Sequence, residues 1–205
     1  RDCLLSRGLG DVYKRQPLKN VMIVAAGEKH SVALTRDGIL YTWGDSSKGQ
    51  LGSGNSASAL AYSTRPVTVA GENNSSKSLS EMLVEKNESI SNIAAGRDHT
   101  LAVSNQGNLY SWGANTYGQL GVNSRDNRYF PVQVKGYNGG GYLTDVILIG
   151  AGAEHSLAVR TDGSVWSWGR NNKGQLGQST NGVNNTYKDM QTPDRVLKGE
   201  YDTGN

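Results

Sequence analysis

One phrase occurs three times in this chain: WGDSSKGQLG from Trp43, WGANTYGQLG from Trp112 and WGRNNKGQLG from Trp168. A catalytic motif normally appears once. A phrase repeated with its middle changed is a structural period, so the repeat constrains the fold before any other feature is weighed. Aligned on it, three ungapped blocks emerge: GEKHSVALTRDGILYTWGDSSKGQLG from Gly27, GRDHTLAVSNQGNLYSWGANTYGQLG from Gly96 and GAEHSLAVRTDGSVWSWGRNNKGQLG from Gly152. The three tryptophans are spaced 69 and then 56 residues apart, and the three histidines, His30, His99 and His155, fall at one block position.

Each block reads as strands. HSVAL and ILYTWG are apolar, alternating runs joined by Asp37-Gly38, a hairpin signal that Asp162-Gly163 repeats and Gln106-Gly107 echoes. Upstream stand VMIVAAG, ISNIAAG and VILIGAG; downstream stand RPVTVAG, FPVQVKG and TPDRVLKG. Pro66, Pro131 and Pro193 suit an outer edge or a strand start, where no ladder donor is needed. Four short strands per unit is the make-up of a propeller blade. Gly and Pro total 31 of 205 residues, below the roughly 25–30% of a low-complexity chain, which leaves the glycines as turns and close contacts.

These residues carry a resemblance. The pattern AAGxxHSxAL…DGxLYxWGxNxxGQLG resembles the repeat of the regulator of chromosome condensation family, over roughly residues 17–200 and in all three copies. The resemblance implies an all-β fold, a partial β-propeller of about three four-stranded blades forming an open arc of a usually seven-bladed ring. The repeat blocks run about 17–65, 66–130 and 131–192, with the start of a further unit at 193–205, in one repeat domain over 17–205. Residues 1–16, RDCLLSRGLGDVYKRQ, do not fit that pattern and read as a non-native-looking or disordered tail. The chain reads as a fragment, and its open blade ends are expected to self-associate or to leave it marginally stable.

Trp43, Trp112 and Trp168 are expected to pack between sheets, with Gly44, Gly113 and Gly169 admitting close backbone approach. The alternative is a stacking platform for a sugar or base. In GQLG the first Gly turns the chain, the Leu fills core, and Gln50, Gln119 and Gln175 bond loop backbone. A His beside Ser31, Thr100 or Ser156 suggests a nucleophile, but a triad needs a carboxylate and is not normally copied three times. Three converging histidines suggest a metal, yet the block shares no carboxylate to orient them. The structural alternative has each histidine bonding backbone carbonyls. No phosphate loop or dinucleotide fingerprint occurs, so no catalytic, cofactor or metal residues are assigned.

The changed positions DSSK (45–48), ANTY (114–117) and RNNK (170–173) fall in equivalent loops on one rim, and Lys48, Tyr117, Arg170 and Lys173 are the candidate partner-binding residues. The net charge of +3 lies mostly in residues 1–16, and no Lys/Arg run suits a nucleic-acid groove. No apolar run is long enough to span a membrane. The single cysteine, Cys3, excludes an internal disulfide. The first spacing carries a surplus, ENNSSKSLSEMLVEKNES, where Leu79, Met82 and Leu83 follow helical spacing, as a short protruding helix or a plain linker. The resemblance implies a non-enzymatic protein–protein interaction module. Its alternatives are a nucleotide exchange factor for a small GTPase, and an inhibitor or cell-surface binding propeller.

Overall fold

The computed structural model describes residues 17–54, 61–72, 75–178 and 187–198; the segment 1–16 lies outside them. Within these residues the chain forms three four-stranded antiparallel sheets, each ordered as the strands occur along the chain. Blade 1 holds β1 (Val21–Ala26), β2 (His30–Thr35), β3 (Leu40–Asp45) and β4 (Tyr62–Thr68). Blade 2 holds β5 (Ile90–Ala95), β6 (His99–Ser104), β7 (Leu109–Gly113) and β8 (Arg128–Gln133). Blade 3 holds β9 (Val146–Ala151), β10 (His155–Arg160), β11 (Val165–Gly169) and β12 (Met190–Arg195). This is a partial β-propeller of three blades.

The innermost strands pack side by side, β1 against β5 and β5 against β9. Pro66, Pro131 and Pro193 all lie in the outermost strands, which have a neighbour on one side only. A proline there forfeits no ladder bond. Those strands straddle residues 65/66, 130/131 and 192/193, so the sheets divide the chain a few residues later than the repeat blocks do.

The core is made between blades. Val32, Leu34 and Leu40 of blade 1 share one buried cluster with Ile93, Ala102, Tyr110 and Trp112 of blade 2. Leu101, Val103 and Leu109 of blade 2 share the next with Val146, Ala158, Trp166 and Trp168 of blade 3. Strands β6 and β7 are therefore buried along their whole length, since blade 2 is covered on both faces. Strand β1 alternates between half-buried and exposed residues. Trp112 and Trp168 are fully buried, whereas Trp43 is only half-buried, because no described blade covers its side of blade 1.

The surplus segment forms a helix, α1 (Leu79–Glu85), but it packs inward. Leu79 and Leu83 sit in the core between blades 1 and 2. Leu143 holds the matching place at the next junction: Leu79 N–H donates to Val69 O and Leu143 N–H to Val134 O, both at 3.0 Å. Ser78 caps the helix reciprocally, its Oγ accepting from Glu81 N–H at 3.3 Å while Glu81 Oε2 accepts from Ser78 N–H at 2.7 Å. Ser78→Ala should lower stability by about 1 kcal/mol in urea melts, and no measurable loss would mean the cap contributes nothing.

Candidate functional site: blade junctions and the loop rim

Each junction is closed by one constellation, a staple of side chains on a main-chain carbonyl. His30 Nε2 meets Thr100 Oγ1 of the next blade at 2.9 Å, and His99 Nε2 meets Ser156 Oγ at 3.0 Å. Each hydroxyl hands its own proton to a main-chain carbonyl of the preceding blade, Thr100 to Gln50 O (3.1 Å) and Ser156 to Gln119 O (2.8 Å). The same carbonyls accept from the tryptophans, Trp112 Nε1–H to Gln50 O (3.0 Å) and Trp168 Nε1–H to Gln119 O (2.8 Å). Gly52 and Gly121 seat these rings so closely that a Cβ would lie 2.8 Å from the indole of Trp112 or Trp168. The histidines thus bond hydroxyls of the following blade, where the sequence suggests backbone carbonyls.

The network assigns the tautomer. A hydroxyl that has given its proton to a carbonyl can only accept from the ring, so Nε2 carries the imidazole proton. The Nδ1 atoms of His30 and His99 are buried without a partner. No carboxylate orients either ring as a base, and each hydroxyl's proton is committed, so this is not a nucleophile pair. Burial, partly opposed by Asp98 and Asp45, lowers the His30 pKa to about 4. Burial, reinforced by repulsion from His30 and His155, lowers that of His99 to about 3. Both rings are neutral at pH 7. Among the described residues, no group of three or more His, Cys, Asp or Glu is placed to hold a metal.

The histidine strand and the tryptophan strand meet at a glycine. His30 pairs with Gly44, His99 with Gly113 and His155 with Gly169. Gly113 has φ of 104°, and a Cβ there would collide with the carbonyl of Asp98.

The three changed loops share one backbone arrangement. Gln50 Oε1 accepts from Lys48 N–H (2.9 Å), Gln119 Oε1 from Tyr117 N–H (2.9 Å) and Gln175 Oε1 from Lys173 N–H (2.8 Å). The side chains that they carry differ in use. Lys48 Nζ donates to Asp98 Oδ2 of the next blade at 2.6 Å. Arg97 bonds Glu154 across the second junction and lies 3.8 Å from Glu28 and 3.5 Å from Asp98. Arg170 bonds Glu154 within blade 3, and its guanidinium stacks 4.5 Å above the Tyr117 ring of blade 2. Of the candidate residues, Lys48, Tyr117 and Arg170 are thus engaged within the protein, while Lys173 is exposed and no ion pair joins it to a described residue. The pairs EK, RD and AE before each histidine also read as rim positions, which places Arg97 and Glu154 there, but their pairing across the junction was not readable from either block alone.

Comparison with known proteins agrees with this geometry. The light receptor named Ultraviolet-B receptor UVR8 of Arabidopsis thaliana is 34% identical over 161 residues, which is 78% of this chain and 31% of the receptor. The E3 ubiquitin-protein ligase HERC2 of Homo sapiens is 32% identical over 168 residues, 81% of this chain and 3% of the ligase. The solved structure of Prp20p from Saccharomyces cerevisiae superposes with a TM-score of 0.69 at 26% identity, covering 88% of this chain and 39% of Prp20p. The chain thus spans about two fifths or less of the length of these proteins. The model of the Regulator of chromosome condensation (RCC1) repeat matches residues 37–103, 106–159 and 162–200, so the chain belongs to that repeat family.

Proposed function

We propose that this chain is a non-enzymatic protein–protein interaction module whose contact surface is the rim carrying loops 45–48, 114–117 and 170–173. The observation that supports it is the identical glutamine clamp beneath three loops of different side-chain content. A backbone held alike in each blade presents changed side chains at little ordering cost. Lys173→Ala should leave stability within about 0.5 kcal/mol, while Tyr117→Ala should cost about 0.5–1 kcal/mol through loss of the Arg170 stack. The test is affinity capture with the wild type and with the double variant, each shown folded by circular dichroism. Capture of a defined protein that the double variant loses supports the rim; capture by both alike overturns it.

A second reading has an observation of its own. Prp20p is described with binding properties to Gsp1p and histones. If this chain is the nucleotide exchange factor that the repeat resemblance implies as an alternative, it will accelerate release of labelled nucleotide from a Gsp1p-type GTPase, and an unchanged release rate would dismiss that reading.

A further inference from the structure

A cleft of about 240 Å³ opens beside β8, the outermost strand of blade 2. Its charged lining comes from three places: Glu72 from the segment after β4, Arg128 from the start of β8, and Lys135 from just beyond β8. Glu72 Oε1 is buried, and no described residue donates to it. No ion pair joins Glu72, Arg128 or Lys135 to a described residue, whereas the buried carboxylates of Asp98 and Glu154 are each paired. Lys135 is held in place: its backbone bridges to Tyr142, and its Nζ lies 4.4 Å from the centre of that ring. These cations are not part of the repeat. Strand register sets Ser63, Arg128 and Met190 opposite the three WG glycines. Likewise, Ala70, Lys135 and Leu197 make the same main-chain bond, to Gly52, Gly121 and Gly177. Of the described blades, only blade 2 has a cation at either place.

We propose that this cleft binds a hydroxylated carboxylic acid the size of one sugar ring, a uronate, with its carboxylate on Arg128 and Lys135 and a hydroxyl on Glu72. Arg128 offers a planar fork that matches a carboxylate, and Lys135 adds a point charge. A carboxylate can only accept, so the buried oxygen of Glu72 calls for a donor. That donor is neutral, because an ammonium in so small a space would face both cations. Val122 and Val132 supply an apolar wall for the C–H face of a ring. The volume, about that of eight waters at roughly 30 Å³ each, admits one ring. An added peptide strand does not fit the same edge, since Pro131 has no N–H within β8. The edge groups beside it are already taken, Tyr129 O by Gly54 N–H (3.0 Å) and Lys135 N–H by Gly121 O (2.9 Å). The lining includes no residue of loops 45–48, 114–117 or 170–173, so the inference stands or falls separately from the rim reading.

Isothermal titration of the full chain near neutral pH tests it with three probes: glucuronate, glucose (no anion) and cyclohexanecarboxylate (a ring acid without hydroxyls). Glucuronate should bind about tenfold more tightly than either of the others. Glu72→Ala should weaken glucuronate about tenfold, the scale of a lost hydrogen bond to a charged group. Cyclohexanecarboxylate should bind that variant no worse, since a neighbouring negative charge has been removed. Arg128→Ala and Lys135→Ala, each shown folded by circular dichroism, should weaken both acids. Methyl glucuronide separates two sources of the same chemistry: binding as tight as the free acid supports the end residue of an acidic polysaccharide, and its exclusion supports the free acid. No saturable binding of glucuronate at millimolar concentration, equal binding of the two acids by the wild type, or an equal effect of Glu72→Ala on both would each overturn the uronate site.

Discussion

Trp112→Ala should lower the stability of the chain by about 3–5 kcal/mol, the scale for a buried large aromatic. The ring is fully buried in the cluster joining blades 1 and 2. Truncation leaves a cavity across the junction and removes one of the two donors on the Gln50 carbonyl. Because the described blades pack chiefly against their sequence neighbours, damage at one junction weakens the coupling on which both adjoining sheets depend. Trp43→Ala supplies the internal control: the residue type and strand position are the same, but the ring is half-buried, so the loss should be distinctly smaller. Urea melts of both variants decide the matter. A loss under about 1 kcal/mol at Trp112 would show the ring to be dispensable to the junction and would revive the stacking-platform alternative.

Acid should also unfold the chain by way of its histidines. Unfolded, each titrates near the ordinary value of about 6.5; folded, burial holds His30 at about 4 and His99 at about 3. Between these values the unfolded chain binds more protons than the folded one, so stability rises with pH. The contribution is complete above about pH 6.5 and is lost as pH falls towards the folded values. Each histidine removes up to about 1.4 kcal/mol per pH unit, so the pair removes roughly 5 kcal/mol between pH 7 and 4.5. His155, half-buried and lowered by burial alone, adds less. Urea melts at pH 7, 6 and 5 would read the slope directly, and His99→Gln should flatten it. Constant stability across that range would mean that the rings are protonated in the fold and that the Nε2-donor network is misassigned.

Much of the architecture was legible in the sequence. Period-two runs, turn glycines and edge prolines gave twelve strands in three sheets, because these signals are local and each blade repeats them. What escaped depends on which face meets which. His30 bonds a hydroxyl 70 residues away, and nothing within its own block identifies that partner. Trp43 and Trp112 hold the same position in their blocks yet differ in burial, since a ring's environment is set by the adjoining blade. The register of the three loops was readable, but the binding of Lys48 to Asp98 and of Arg170 to Glu154 needed the blades laid side by side. The surplus helix was suggested by the spacing of Leu79, Met82 and Leu83. Its inward packing was not, because the apolar stripe alone does not say which cleft receives it.

The acceptor at the centre of each staple is a main-chain oxygen, that of Gln50 or Gln119, and this bears on how such a chain can change over generations. No codon substitution deletes a peptide carbonyl. A mutation at the glutamine itself loosens the loop above it, yet the oxygen that receives the next blade's indole and hydroxyl is still present. Mutational risk is therefore concentrated on the donors and on the small residues that seat them, and is smaller in the loops. A lineage could redraft the loops 45–48, 114–117 and 170–173, giving up the Lys48–Asp98 ion pair or the Arg170–Tyr117 stack, while the buried joint on the main-chain carbonyl stayed intact, which is a route to new partners that does not pass through an unfolded ancestor.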